Sequence, residues 1–261
     1  DVVVVGGVRR SALISLSNLS DQRIRSAKTG DWISTNPERT MANNSVAYTE
    51  KPDTGMFMKE WLSLYESKSG ERGIFSRISA KKKAAENGRR DVNWEFGTNP
   101  CSEIILRPNQ FCNLTEVVCR SGDTVASLTR KIQIATLLGT IQSTFTNFSY
   151  LRKRWQNNTE EERLLGVSLT GIMDCPLLNG SEDGLEKRLE TLRGIAVEAN
   201  KYWASKFGIN QSTAITCVKP SGTVSQLVDS ASGIHARHNP HYIRTVRGDN
   251  KDPLTEFLIN S

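Results

Sequence analysis

The sequence predicts an α/β fold in which strands alternate with long helices and pair mostly in parallel. The first observation is a pair of long segments with apolar residues near helical spacing, residues 127–148 and 183–207. The second is that short apolar runs accompany them, at residues 115–120 and 214–218. With 261 residues, 37% of them hydrophobic and 24% charged, the chain is long enough to bury a sizeable core. Periodicity alone does not give the number of strands.

The N-terminal elements are predicted to be two strands joined by a glycine loop. Residues 2–5 are four valines and predict a buried strand, and residues 12–17 alternate enough to predict another. Two glycines between them allow the backbone to approach a ligand closely. Arg9 and Arg10 follow, and they are either contacts for a phosphate or a base, or two exposed loop arginines.

The next part of the chain predicts one short strand, one helix and a charged excursion. Residues 45–48 predict the strand, and residues 56–65 predict an amphipathic helix with its aromatic residues on one side. Residues 67–93 are rich in Lys and Arg and poor in apolar residues. We therefore expect a mobile surface excursion there, with a short helix at residues 80–87.

The later elements return to alternating helix and strand. Residues 159–162 predict a helix start, because a threonine cap precedes three glutamates that favour the positive end of the helix dipole. Residues 164–173 are apolar with two glycines, which predicts close packing. The long helix at residues 183–207 is predicted to end at Gly208.

Two cysteines eleven residues apart, Cys101 and Cys112, are the most informative feature of the chain. In an extended segment, Cys101 and Glu103 project to the same side and act on one bound molecule. Pro and Asn at residues 107–110 predict a turn that returns Cys112 to the same place. This arrangement suits redox or radical chemistry, since the spacing is wrong for C-x-x-C motifs and no neighbouring His supports a Cys/His hydrolase. The spacing alone favours buried, inert thiols.

A second candidate site is a short loop near residue 220. Ser221, Gly222, Thr223 and Ser225 combine small residues, hydroxyl donors and accessible backbone N–H groups. Such a loop wraps an anion if a helix begins there. Taken by itself, the segment is interpreted as an ordinary turn.

Three segments, in order along the chain, resemble those of ribonucleotide reductase large subunits. Residues 99–104, followed by 112–114, resemble the catalytic finger loop of that family. Residues 219–225 resemble its substrate-phosphate loop, which implies phosphate binding by Pro220, Ser221, Gly222, Thr223, Val224 and Ser225. The segment near the N-terminus resembles its specificity loop, which implies effector signalling through Gly6, Gly7, Val8, Arg9, Arg10 and Ser11.

Within the family, the eleven-residue cysteine interval is similar to that of the adenosylcobalamin-dependent class II enzymes. Residues 111–118 and 219–223 are most similar to the monomeric ribonucleoside-triphosphate reductases. The resemblance implies part of a ten-stranded α/β barrel, with Cys101 at the tip of a finger loop in its centre. Residues 1–261 are then expected to be a partial catalytic barrel domain, an internal fragment that is inactive alone.

The resemblance also implies roles for four residues. Cys101 becomes a thiyl radical and abstracts the 3′-hydrogen, Glu103 is the general base for the 3′-hydroxyl, and Asn99 holds the ribose hydroxyls. Cys112 supplies protons and electrons with a partner cysteine expected upstream of residue 1. The implied cofactor is adenosylcobalamin, and we assign no metal site. The implied partners are a ribonucleotide substrate, a deoxynucleotide effector and a thioredoxin-like reductant, with a monomeric parent enzyme and deoxyribonucleotides for DNA synthesis as product.

The remaining cysteines and the composition indicate the cellular compartment in which the protein works. Cys119, Cys175 and Cys217 are interpreted as small hydrophobic core residues. An odd number of cysteines, five, without a regular framework suits the reducing cytoplasm. No signal peptide or membrane-spanning segment is predicted.

The net charge and the histidines leave choices open. A net charge of +6 favours a polyanionic partner, but the basic residues are spread out, which indicates solvated faces and no direct nucleic-acid binding. His235, His238 and His241 lie three residues apart, and Pro240 interrupts any helix that would align them. We interpret them as surface near the substrate or the cobalamin and not as metal ligands.

Three alternatives to a class II reductase remain. One is a class I large subunit, whose second cysteine lies further downstream. Another is a non-catalytic nucleotide-binding module derived from the family, which has no use for the redox set of residues. The last is a basic nucleic-acid-binding protein, whose binding would fall with rising salt for all sequences.

Overall fold

The structure is a computed structural model that describes residues 13–86, 88–239, 241–243 and 248–261. The strand predicted at residues 2–5 and the predicted specificity loop at residues 6–11 lie outside the described residues. The strands are β1 (Leu13–Ser17), β2 (Ala42–Tyr48), β3 (Gly73–Ser76), β4 (Gly97–Thr98), β5 (Ile105–Leu106), β6 (Asn113–Val118) and β7 (Leu165–Thr170). The helices are α1 (Gln22–Arg25), α2 (Trp32–Thr35), α3 (Thr54–Ser67), α4 (Arg77–Ala85), α5 (Val125–Gln142), α6 (Lys153–Glu162), α7 (Leu185–Phe207), α8 (Thr223–Leu227) and α9 (Pro253–Asn260).

The first sheet has the order β1-β2-β3, and both pairs of strands are parallel. The strand predicted at residues 12–17 is confirmed, and the one predicted at 45–48 is longer, beginning at Ala42. The short helix predicted at residues 80–87 is present as α4 (Arg77–Ala85). The mobile excursion predicted for the rest of residues 67–93 is wrong, because the segment also contains β3. Its buried Arg72 and Arg90 pair with glutamates, so these basic residues hold the fold together.

Helix α3 turns its polar side inward. The predicted helix is present and begins at an Asp53 cap, whose carboxylate accepts the Met56 N–H at 3.0 Å. Its one buried residue is Glu60, which bonds Arg72 through two donor–acceptor pairs of 2.9 Å and also pairs with Arg25. The predicted aromatic side faces solvent instead, because a carboxylate that pairs with two arginines is buried in its place.

The second sheet pairs β6 with β7 in parallel over six residues of each strand. The segment at residues 214–217 lies along the other edge of β7, with Val167 N–H donating to the Ile215 carbonyl at 2.8 Å and Cys217 N–H to the Val167 carbonyl at 3.0 Å. A strand was predicted at residues 214–218. The structure has a single β-bridge there, between Val167 and Thr216. Helices α5 and α7 pack together over this sheet, and the apolar core lies beneath them.

The core beneath α5 and α7 is made of aliphatic side chains. Leu128 and Ile132 of α5 meet Leu165 of β7, Ala196 of α7 and Ile215. Each fully buried leucine stabilises the fold by about 1.5–3 kcal/mol relative to an exposed one. Both thiols Cys119 and Cys175 are also buried here, as predicted. Those apolar contacts hold the segment that leads to residue 219.

Two helix boundaries test the predicted caps. Gly208 has a φ of 65° and ends α7, as expected for a left-handed C-cap. The helix start predicted at residues 159–162 is wrong, because these residues are the last turn of α6. Glu162 is drawn inward by the buried Arg90, at 2.8 Å, and the helix ends at Arg163 with a φ of 46°.

The described elements confirm an α/β fold with parallel pairing in both larger sheets. In the described part of the chain, the sheets are separate and do not close into a ring. The hairpin β4-β5 contacts both: Asn43 of β2 donates to the Pro100 carbonyl at 2.6 Å, and Glu103 pairs with Lys219 beyond the second sheet. Among the helices that are described, none has the length and apolar character to cross a membrane.

Candidate active site

The site is built on the hairpin of β4 and β5, whose loop carries residues 99–104. Asn99 organises this loop, since its Oδ1 accepts the Ile104 N–H at 3.1 Å and its carbonyl accepts the Ser102 N–H at 2.9 Å. The Thr98 hydroxyl donates to the Ile104 carbonyl at 2.9 Å. The loop is therefore fixed by its own side chains, and the amide nitrogen of Asn99 is the part that remains for a ligand.

Cys101 lies exposed at the tip of this loop, and the side chain of Glu103 is buried. The extended segment predicted for these residues is wrong. Ser102 between them has a φ of 63°, so the chain turns at the tip. Because of this turn, the two side chains lie in different environments. The thiol of Cys101 is open to solvent, whereas the Glu103 side chain is 1% exposed.

Glu103 has one paired and one unpaired oxygen. Its Oε1 accepts from the Nζ of Lys219 at 2.8 Å. Its Oε2 is buried and has no hydrogen-bond partner among the described residues. A buried acceptor without a partner is costly, so this oxygen marks a place where a ligand hydroxyl would bond.

The chain turns back after β5 and brings Cys112 near Glu103 and Lys219. In this turn Asn109 has a φ of 57°, and the Gln110 side chain accepts the Arg107 N–H at 3.0 Å. Burial raises the pKa of the Cys112 thiol to about 11; the Glu103 carboxylate raises it further and Lys219 lowers it. At pH 7 this thiol is therefore protonated.

Cys217 is the residue that sequence analysis assigned to the core and that the structure places beside the site. It is half-buried, and burial, followed by Glu103 and Cys112, raises its pKa to about 12. Its sulfur lies near Gly166, where an added Cβ would meet it at 3.1 Å. The sequence offered one indication that Cys217 lies near the site. It stands two residues before Lys219, in the segment that leads into the predicted phosphate loop.

Cys217 is nevertheless a poor disulfide partner for Cys112. Cys112 directly precedes β6, and the segment of Cys217 lies on the opposite edge of β7. Two strand spacings separate them, about 10 Å between backbones, whereas a disulfide needs Cα atoms within about 7 Å. The geometry therefore disfavours Cys217 as the redox partner of Cys112.

The predicted phosphate loop follows Lys219 directly. Gly222 has a φ of 57° and a ψ of −127°, and its N–H donates to the Ser232 hydroxyl at 3.2 Å. Helix α8 begins at Thr223, so the condition set for an anion-binding loop is met. The Ser221 hydroxyl is buried without a partner among the described residues, so it is available to a ligand. Ser225 is also buried, but its hydroxyl donates to the Gly222 carbonyl at 2.6 Å and holds the loop. Pro220 and Val224 are exposed.

The histidine segment lies next to this loop. The Nδ1 of His235 lies 3.1 Å from the carbonyl oxygen of Ser232, the residue whose hydroxyl accepts the Gly222 N–H. The ring of His238 packs edge-on against Tyr242, with centroids 6.5 Å apart. Within the ranges that the structure covers, no three His, Cys, Asp or Glu side chains group in a way that could hold a metal ion.

The architecture is that of a known class of enzyme. The structure matches a B12-dependent class II ribonucleotide reductase with a TM-score of 0.67 and 24% identity, covering 85% of this chain and 34% of that one. It also matches the class Id ribonucleotide reductase alpha subunit of Actinobacillus ureae, with a TM-score of 0.62 and 14% identity, covering 97% of this chain and 53% of that one. The chain thus has the fold of part of a ribonucleotide reductase catalytic chain.

Sequence comparison narrows the relationship. The adenosylcobalamin-dependent ribonucleoside-triphosphate reductase of Lacticaseibacillus paracasei is 30% identical over 289 residues, and that of Lactobacillus delbrueckii subsp. bulgaricus is 28% identical over 288. Each alignment covers 98% of this chain and 37% of the relative. No protein-family model matches. The chain is related to the adenosylcobalamin-dependent ribonucleoside-triphosphate reductases, as its motifs predicted, and it spans 37% of the length of these relatives.

Proposed function

We propose that this chain carries the finger loop and the phosphate loop of an adenosylcobalamin-dependent enzyme that reduces ribonucleoside triphosphates to 2′-deoxyribonucleotides. The observation that carries the proposal is the pairing of an exposed thiol, Cys101, with a buried carboxylate, Glu103, that keeps one oxygen free. Ribose reduction needs both, one to take a hydrogen atom and one to take a proton.

Glu103 is proposed as the general base. Its free Oε2 accepts the proton of the ribose 3′-hydroxyl, while its Oε1 stays on Lys219. General-base catalysis of this kind contributes roughly 10²–10⁴-fold to a rate. Asn99 holds the ribose through its free amide nitrogen, because its oxygen is used inside the loop.

The two thiols of the finger have separate tasks. Cys101, as a thiyl radical, takes the 3′-hydrogen, and this weakens the neighbouring C2′–O bond. Cys112 and the partner cysteine that the family resemblance implies upstream together supply the two electrons and two protons that reduce C2′ as its hydroxyl leaves as water, and the two thiols end as a disulfide. The hydrogen atom taken by Cys101 returns to C3′ at the end of the reaction. The raised pKa of Cys112, about 11, supports this role because the thiol holds its proton at neutral pH.

The residues of the finger fit the proposed cofactor. Of the five cysteines, Cys101 is the exposed one and stands at the tip of the hairpin, so its S–H bond is open to a group bound against the finger. Adenosylcobalamin, when bound, supplies the radical chemistry that removes the hydrogen atom of that thiol. The surface around His235 and His238, beside the phosphate loop, is the part we assign to face the substrate or the cofactor.

Substrate phosphates are proposed to bind at residues 220–225. The support is the buried, unpartnered Ser221 hydroxyl and the loop that Gly222 and Ser225 hold in front of α8. The choice of triphosphates rests on the printed activity of the relatives. Residues 6–11 remain our proposed specificity loop for a deoxynucleotide effector.

The remaining partners and the compartment belong to the same proposal. A thioredoxin-like reductant would restore the oxidised cysteines, and the parent enzyme is proposed to act as a monomer. The described cysteines are all free thiols. This state suits a reducing cytoplasm.

The test is freeze-quenched electron paramagnetic resonance on the complete reading frame, mixed with adenosylcobalamin, a reductant, a ribonucleoside triphosphate and an effector. We expect a sulfur-radical signal in the wild type and none in Cys101→Ser. Cys112→Ser is the matched control, because it keeps the radical thiol and should retain the signal while losing turnover. A folded, nucleotide-binding wild type with neither signal nor deoxynucleotide product would overturn the proposal.

A further inference from the structure

We propose that Lys219 is a positioning residue for Glu103, an inference that rests on the proposed function. Lys219 stands immediately before the phosphate loop, yet its Nζ reaches the finger and lies 2.8 Å from the Oε1 of Glu103. The two side chains are 17% and 1% exposed. The ion pair therefore joins the two loops that the reaction needs together, at the point where the base acts.

The ion pair makes the two carboxylate oxygens of Glu103 different in their hydrogen bonding. Lys219 occupies Oε1, and Oε2 is buried without a partner in the described part of the chain. The lysine thus holds the group in one orientation and leaves one acceptor for the ribose hydroxyl. When the substrate proton moves to Oε2, the carboxylate becomes a carboxylic acid, and Lys219 keeps its own proton and its bond to Oε1.

Lys219 also places a positive charge beside the buried carboxylate of Glu103. A buried carboxylate without a cation favours its neutral, protonated form, because burial penalises the charge. A protonated Glu103 has no capacity to accept the substrate proton. The ammonium group of Lys219, 2.8 Å from Oε1, supplies the opposite charge that this buried carboxylate needs.

The backbone beneath Lys219 is rigid enough for this task. Gly233 has a φ of 55° and packs so closely that an added Cβ would lie 2.8 Å from the Lys219 carbonyl oxygen. The Gly233 N–H donates to the Thr170 hydroxyl at 2.9 Å, and its carbonyl accepts the Ile172 N–H at 3.4 Å. Lys219 is therefore packed against the end of β7, and its side chain starts from a fixed point.

A direct contact between Lys219 and the substrate phosphates is the competing interpretation. The two roles differ in what the loss of the lysine changes. A phosphate contact is made equally in the ground state and the transition state, so its loss raises KM and leaves kcat unchanged. Loss of a residue that positions the base lowers kcat and changes the pH at which the base acts.

The experiment compares Lys219→Met, Lys219→Arg and the wild type in the complete enzyme, with kcat and KM measured from pH 5 to 9. We expect Lys219→Met to lower kcat by at least ~10-fold, a part of the range for general-base catalysis, with KM changed by less than about threefold. The acid limb of its kcat profile should move to higher pH, because Glu103 then needs a higher pH to ionise. Lys219→Arg should restore most of kcat and the original limb.

Lys131→Met is the matched control. Lys131 makes an ion pair of the same kind, 2.6 Å to Asp123, at the far end of β6. It should leave kcat and the acid limb unchanged. The sulfur-radical signal is expected in every one of these variants, because Cys101 is present in all of them.

Three results would overturn the inference. One is a rise in KM in Lys219→Met with kcat and the acid limb unchanged, which would assign the lysine to phosphate. Another is an equal loss of kcat in Lys219→Met and Lys131→Met, which would show a general loss of structure. A wild type without turnover and without a radical signal would overturn the proposed function and this inference together, and the active wild type separates the first two results from that one.

Discussion

Two regions of the molecule use the same parallel α/β pattern and hold it together by different means. The first region, residues 13–86, places a buried ion cluster of Arg25, Glu60 and Arg72 at the end of β1. The second region, residues 113–233, buries an aliphatic core beneath α5 and α7. In the first region the large apolar residues of α3 mostly face solvent, whereas in the second region α5 buries Leu128 and α7 buries Leu192 in the core.

The difference teaches how each region responds to a single change. A buried charge cluster fails when one partner is removed, because the remaining charges are left without compensation. An apolar core fails in proportion to the volume that is lost. The finger loop contacts both regions, through Asn43 and Lys219, so its position depends on two kinds of packing.

The largest effect is expected at Glu60. Glu60→Leu should destabilise the first region by about 3–5 kcal/mol, because the buried Arg72, at 3% exposure, and the partly buried Arg25 lose the carboxylate that pairs with both. Region-specific hydrogen exchange of β2 peptides in the complete enzyme measures this. Replacing the whole cluster with Leu or Met should recover most of the loss, and a triple variant as unstable as Glu60→Leu would contradict the explanation.

The next effect is expected at Leu128 in the second region. Leu128→Ala removes a fully buried side chain and should cost about 3 kcal/mol, within the usual range for large-to-small core changes. Hydrogen exchange of α5 and β7 peptides measures the change, with β2 peptides as the internal reference. Leu138→Ala is the matched control on the same helix, where the leucine is 56% exposed, and equal effects at the two positions would be inconsistent with this core.

A smaller effect, confined to acid, is expected at Asp123. Burial raises the pKa of Asp123, but hydrogen bonds from Lys131, Ser127 and the Arg120 backbone lower it more, so the net shift is downward. A depressed folded pKa gives stability that is present above the unfolded value, about 3.9, and is lost as the pH falls through the folded value. Denaturant unfolding between pH 2 and 6 should show this loss in the wild type and a smaller one in Asp123→Asn.

The smallest effect is expected at an exposed pair in the first region. Lys83 and Glu86 of the α4 end lie 2.6 Å apart, with side chains 69% and 61% exposed. Lys83→Ala should change stability by no more than about 0.5 kcal/mol, because solvent screens the pair. A change as large as that of Glu60→Leu in the same exchange experiment would mean that burial does not distinguish the two ion pairs.

The sequence predicted those site residues that stand in short, distinctive motifs. Cys101, Glu103 and Cys112 stand in a short segment that resembles the finger loop of ribonucleotide reductases. The glycine and hydroxyl residues at 221–225 predicted an anion-binding loop only if a helix begins there, and the structure supplies that helix as α8. Lys219 belongs to the segment that resembles the phosphate loop, but the sequence does not predict its bond to Glu103. These residues are 116 positions apart, and no local pattern encodes such a contact.

The fold, too, has features that the sequence predicted and features that only tertiary contacts determined. Local periodicity, caps and composition were sufficient for the α/β class, for α5 and α7 and for the end at Gly208. The resemblance to the ribonucleotide reductases came instead from the short motifs around Cys101 and after Lys219. Tertiary structure alone decided which side of α3 is buried, that residues 67–93 carry a strand, and that residues 159–162 end a helix. In each of these three places a glutamate or arginine finds an opposite charge far along the chain, and such a partner reverses the burial that local hydrophobicity predicts.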